Sequence, residues 1–107
     1  MDFGLSEEQE LIRDSFSGTL ERVCDLDTVR KTAEASAPMD ENIWTELCSL
    51  GMAGLLIPEE FGGTGLTLLE VAVVSEELGR RAAPVPFAAS VVMAPLAIRL
   101  GGDDNQK

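Results

Sequence analysis

Thr67-Leu68-Leu69-Glu70-Val71-Ala72-Val73-Val74-Ser75-Glu76-Glu77-Leu78-Gly79-Arg80 decides the fold class. Thr67 and Glu70 stand at capping-box spacing: the hydroxyl accepts an amide of the first turn, and the carboxylate reaches back to the amide of Thr67. Arg80 and Arg81 sit where cations favour a helix C-terminus. Between these signals Leu68, Leu69, Val71, Ala72, Val73, Val74 and Leu78 leave little polar face. A helix apolar nearly all round lies at the centre of a core, or under something larger than a chain of this size.

Working outward, Ser6-Glu7-Glu8-Gln9 is another capping box, and it opens a helix to about Cys24 with Leu11, Ile12, Phe16, Leu20 and Val23 at helical spacing. Residues 25–39 are polar and alanine-rich and read as either a short helix or a loop. Asp40 caps a further helix that carries Ile43, Trp44, Leu47, Cys48 and Leu50 on one side, with Gly51 suited to the left-handed position after it. Trp44 reads as a core anchor. Gly54-Leu55-Leu56-Ile57-Pro58 reads as an extended, buried connector, because Pro58 biases Ile57 away from helix. After the stiff joint Pro84-Val85-Pro86, residues Phe87 to Leu100 form a fourth main helix, kinked at Pro95, and Gly101-Gly102 ends it. No strand pair is evident. The expectation is a single all-α domain over residues 1–107, a helical bundle of about four main helices.

The composition narrows the chemistry. Of 107 residues, 19 are acids and 8 are Lys or Arg, a net charge of −11. Residues 1–60 hold 14 of the acids, so a nucleic-acid partner is excluded by phosphate repulsion. The chain has no histidine and no tyrosine, which removes His triads, His metal sites and tyrosine acids. Cys24 and Cys48 have no metal-ligand spacing and read as buried free thiols in a reducing compartment. The most apolar stretch, Ala82 to Leu100, is interrupted by prolines and carries Arg99, so a membrane span is not expected. With no leader-like segment, the expected location is cytoplasmic. Glu59-Glu60-Phe61-Gly62-Gly63-Thr64-Gly65 is glycine-rich, but it lacks the lysine of a P-loop and the G-x-G-x-x-G of a dinucleotide fingerprint. It reads as a structural turn.

The run Trp44-x-x-Leu47-x-x-x-Gly51-x-x-Gly54-Leu55-x-Ile57-Pro58-Glu59-Glu60-x-Gly62-Gly63-x-Gly65 resembles the acyl-CoA dehydrogenase N-terminal domain. The match continues through Glu70 to Ser75-Glu76-Glu77-Leu78-Gly79-Arg80. Phe3-x-Leu5-Ser6-Glu7-Glu8-Gln9 and Gly102-Asp103-Asp104-Asn105-Gln106-Lys107 are similar to that domain's two ends, and Pro84-Val85-Pro86-Phe87 resembles bacterial members of the family. The resemblance implies the first of three domains, with a β-domain and a C-terminal α-domain absent from residues 1–107. It implies FAD-dependent α,β-dehydrogenation of acyl-CoA thioesters, with a glutamate as base and electron-transfer flavoprotein as acceptor. That base and nearly all FAD contacts belong to the later domains, so no catalytic, cofactor-binding or metal-ligating residue is assigned here, and the isolated chain is expected to be inactive. The tail of the acyl group, in similar enzymes, runs between helices of the first and last domains. This assigns Phe87, Ala88, Val91 and Val92 to an apolar acyl wall; the competing reading is that they pack on the third helix. The apolar third and fourth helices call for further domains or a partner subunit, in a homo- or hetero-oligomer. A non-catalytic helical interaction module, or the first domain of a related acyl-CoA oxidase or flavin monooxygenase, is the alternative.

Overall fold

The structure is a computed structural model that describes residues 4–107; Phe3 of the opening motif lies outside the described residues. Five α-helices run in the order α1 Glu7–Val23, α2 Leu26–Glu34, α3 Glu41–Cys48, α4 Leu68–Arg80 and α5 Ala94–Gly101, with no strand among the described residues. The all-α expectation is therefore met.

The caps are where the sequence places them. Gln9 N–H donates to Ser6 Oγ at 3.2 Å, and Ser6 N–H donates to Gln9 Oε1 at 2.9 Å. Glu70 returns to Thr67 N–H at 3.1 Å, while the Thr67 hydroxyl donates to the same carboxylate. Asp40 accepts from Ile43 N–H at 2.9 Å to start α3. The undecided stretch after Cys24 resolves as α2, capped by Asp25, which accepts from Thr28 N–H at 2.8 Å. Hydrogen bonds from Thr28 hold the Asp25 carboxyl below the usual carboxylate range, and the Thr67 hydroxyl does the same for Glu70.

The core is built by residues three and four apart, which share a helix face. Phe16, Leu20 and Cys24 descend from α1, Ile43 and Leu47 from α3, and Val71, Val74 and Leu78 from α4; they meet Met52, Leu55, Leu56 and Val91. α1 packs on both α4 and α3, and Arg22 bridges to Glu46 at 3.1 Å across the α1–α3 seam. Trp44 is half-buried against this core. Glu77 is buried on α4, its carboxylate 3.7 Å from Arg80 Nη2, which also meets Glu76 at 3.2 Å.

Three expectations need correction. The Gly54–Pro58 connector is buried but not extended: a 3-10 turn spans Met52–Gly54, and Leu55 has φ −53° and ψ −46°. The compact turn lets the amides of Gly54, Leu55 and Ile57 find local carbonyls, which buried backbone requires. Leu50 is exposed, because α3 stops at Cys48 and the chain turns before reaching it. Cys48 is only half-buried, unlike Cys24.

The glycine-rich segment closes back on this connector. Thr64, Gly65 and Leu66 donate their amides to the carbonyls of Gly54, Ile57 and Leu55 at 2.9, 2.9 and 2.8 Å. At Gly63 a Cβ would stand 2.1 Å from the Ile57 carbonyl oxygen, so only glycine permits the approach. At the end of α4 the left-handed position is held by Ala82, with φ 51°, in a Schellman motif: Ala82 N–H donates to Gly79 O and Ala83 N–H to Leu78 O.

These details predict opposite effects of two exchanges in urea denaturation. Gly63→Ala destabilises by about 2–4 kcal/mol through backbone overlap, whereas Ala82→Gly stabilises by about 0.5–1 kcal/mol by relieving the left-handed cost. A pH effect follows as well. With folded values below the usual carboxylate range, the Asp25 and Glu70 caps stabilise the fold fully above the unfolded carboxylate pKa of about 4. That stability is lost as pH falls through the lower folded values, so thermal midpoints measured below pH 4 fall less steeply in Asp25→Asn.

Candidate functional site

The joint between α4 and the next helix is fixed by backbone bonds. Asp40 N–H donates to Pro84 O at 3.0 Å, and the amides of Val85 and Phe87 donate to the carbonyls of Ala83 and Val85, both at 2.9 Å. The helix that follows is not one kinked α-helix, as the sequence suggests. Residues Ala88–Met93 form a π-helical segment that passes into α5. Ala94 N–H reaches back to Ala89 O, five residues away, and Pro95, which has no amide, follows immediately. The wider register comes immediately before the proline, whose missing amide already interrupts the helical hydrogen-bond ladder.

The four expected wall residues part company here. Val91 is fully buried and completes the domain core, and Phe87 and Val92 are half-buried against that core. Ala88 is exposed. Phe87 and Ala88 together border an open depression of about 280 Å³ between the end of α4 and the head of the π segment. Its other lining residues are Ser75, Leu78 and Gly79 of α4 and Ala82, Ala83 and Val85 of the joint. Sequence reading missed these. The available signal was the run of small residues Gly79, Ala82, Ala83 and Ala88, which leaves space wherever its positions meet.

This depression can receive an apolar group and offers a single hydroxyl, Ser75; no acid or base lines it. It therefore positions and does not move protons. The glycine-rich turn offers nothing to a phosphate, because the amides of Gly62 to Leu66 already bond backbone carbonyls within residues 54–59. With Glu59 and Glu60 at its start and a chain charge of −11, this loop does not fit a dinucleotide. Burial raises the thiols of Cys24 and Cys48 above the ordinary thiol value, which lowers their thiolate fraction. Among the described residues no group of carboxylates and cysteines could hold a metal ion, and no helix is long and apolar enough to cross a membrane.

Comparison with known proteins agrees with this architecture. The family model described as acyl-CoA dehydrogenase, N-terminal domain, matches residues 6–107. Acyl-CoA dehydrogenase IpdE2 of Mycolicibacterium smegmatis is 43% identical over 84 residues, covering 78% of this chain and 27% of that protein. IpdE2 of Mycobacterium tuberculosis is 34% identical over 93 residues, covering 86% and 29%. (2S)-Methylsuccinyl-CoA dehydrogenase of Cereibacter sphaeroides is 41% identical over 106 residues, covering 97% and 19%. The chain thus spans less than a third of the length of these relatives. No solved structure matches significantly.

The division between core and depression is open to a direct check by denaturation. Val91→Ala costs about 2 kcal/mol through lost burial and a residual void. Ala88→Ser, on the open side, stays within about 0.5 kcal/mol.

Proposed function

The chain belongs to the acyl-CoA dehydrogenase family, as its N-terminal domain, and on that footing we propose that it supplies one apolar side of an acyl pocket and the surface on which the rest of such an enzyme assembles. The reaction is FAD-dependent oxidation of an acyl-CoA between its α and β carbons. FAD, the catalytic base and the electron acceptor, electron-transfer flavoprotein in this reading, engage the other domains. This domain contributes shape: a wall of Phe87, Ala88, Val85 and Leu78 that excludes water from an alkyl tail and limits its length. Val91 and Val92 hold that wall from behind.

The observation that carries the proposal is an open depression beside the Pro84–Pro86 joint, lined by Leu78, Val85 and Phe87 with the small residues Gly79, Ala82, Ala83 and Ala88. The assembly role is supported by apolar side chains left in solvent: Leu100 at 85%, Met93 at 65%, Leu68 at 58% and Leu69 at 53% exposure.

The test is acyl-chain selectivity in a complete dehydrogenase carrying this domain. Ala88→Phe fills part of the depression, and one methylene is worth about 1–3 kcal/mol of discrimination. The variant should therefore lose roughly tenfold or more in kcat/KM on its longest good substrate while keeping activity on shorter ones. Unchanged selectivity in a folded, flavin-loaded variant would overturn the acyl-wall assignment.

A further inference from the structure

Residues 25–39 keep their polar bonds to themselves. Among the described residues, every hydrogen bond of the segment ends within it, from Thr28 N–H to the Asp25 carboxylate at 2.8 Å to Ala37 N–H on Thr32 O at 3.3 Å. None of its charged side chains, Asp25, Asp27, Arg30, Lys31 and Glu34, forms an ion pair among the described residues. Eleven of the fifteen residues are exposed; only Thr32 is buried, and Val29 is half-buried against the core. α1 packs along α3 and α4, but no packing of that kind joins α2 to another element among the described residues.

The two ends of the segment, by contrast, are tied, and to one place. Cys24, just before it, is buried and donates from Sγ to Arg81 O at 3.6 Å. Asp40, just after it, donates its N–H to Pro84 O at 3.0 Å. The chain therefore leaves the core at one end of the joint that follows α4 and returns at the other. Between these feet α2 has nine residues, fewer than the about 12–15 that an isolated helix needs to be even marginal in water. Its C-terminal turn is strained as well, because Ser36 holds φ 53°, a left-handed conformation unfavourable to a residue with a Cβ. α5 is also exposed, but it continues a helix that the fully buried Val91 pins to the core. α2 has no such pin.

We infer that residues 25–39 form a strap that opens and closes as a unit, while Cys24, Asp40 and the packed helices α1, α3 and α4 hold their places. A segment with few buried apolar contacts and well-exposed hydrogen bonds is the part of a domain that opens at least cost. Opening here melts α2 and gives up only the packing of Val29 and Thr32 on the remainder. This inference does not rest on the acyl-wall reading.

The test is limited trypsin digestion of the 107-residue chain, with the fragments identified by mass spectrometry. Arg30 and Lys31 lie in the strap, whereas Arg13, Arg22, Arg80 and Arg99 lie in other helices. The first cut should fall after Arg30 or Lys31. The nicked chain should keep its other helices by circular dichroism and elute as one particle, because α1 is held by the core. Where reclosing outpaces cleavage, the cutting rate follows the open population. Ser36→Gly, which removes the left-handed cost, should then slow the cut roughly two- to fivefold. Val29→Ala, which weakens the docking, should speed it about threefold or more. A first cut elsewhere, a nicked chain that unfolds or separates, or a rate that either exchange leaves unmoved would each overturn the inference.

Discussion

The backbone hydrogen bond from Asp40 N–H to Pro84 O, 3.0 Å long, ties the two halves of the domain together. Its donor is the residue whose side chain starts α3, and its acceptor opens the proline joint that sets the direction of the last helix. Pro84 and Pro86 have fixed φ, so once that bond is made the chain has little freedom before Phe87. Val91 then falls into the core beside Met52, and Phe87 and Ala88 are left at the edge of a depression they do not fill.

The molecule is a slab. Its shortest axis is 19 Å, about two helix diameters, and its radius of gyration of 14.7 Å exceeds the about 13 Å expected for a compact chain of 107 residues. A slab of two layers buries one face of each and leaves others open, which is why Leu68, Leu69, Met93 and Leu100 meet solvent. The charge distribution complements this shape. Acids concentrate in the first sixty residues, while the last stretch of chain is apolar and nearly neutral.

Much of this was legible in the sequence, because local chemistry governs it. Ser6, Asp40 and Thr67 announce their helices by capping, and the spacing of Phe16, Leu20, Ile43 and Leu47 marks the buried faces. α2 was not decidable, since its residues bury little beyond Thr32 and only the Asp25 cap speaks for it. The Gly54–Pro58 connector was misjudged because its compact turn is dictated by the returning Thr64–Leu66 segment, a tertiary effect. The π segment was likewise invisible: Pro95 signals a lost hydrogen bond, but not how the preceding residues absorb the loss. At the candidate site, Phe87 and Ala88 were reachable from the resemblance, whereas Val91 and Val92 share their helix and face the core.

The central claim is that the α4–π junction meets the tail of an acyl group. The most direct measurement is photocrosslinking of a complete dehydrogenase carrying this domain, using an acyl-CoA with a diazirine at its far end, followed by peptide mapping. The account predicts labelling within residues 75–88, strongest at Val85, Phe87 and Ala88. Labelling confined to other domains, with turnover of the same probe intact, would contradict it.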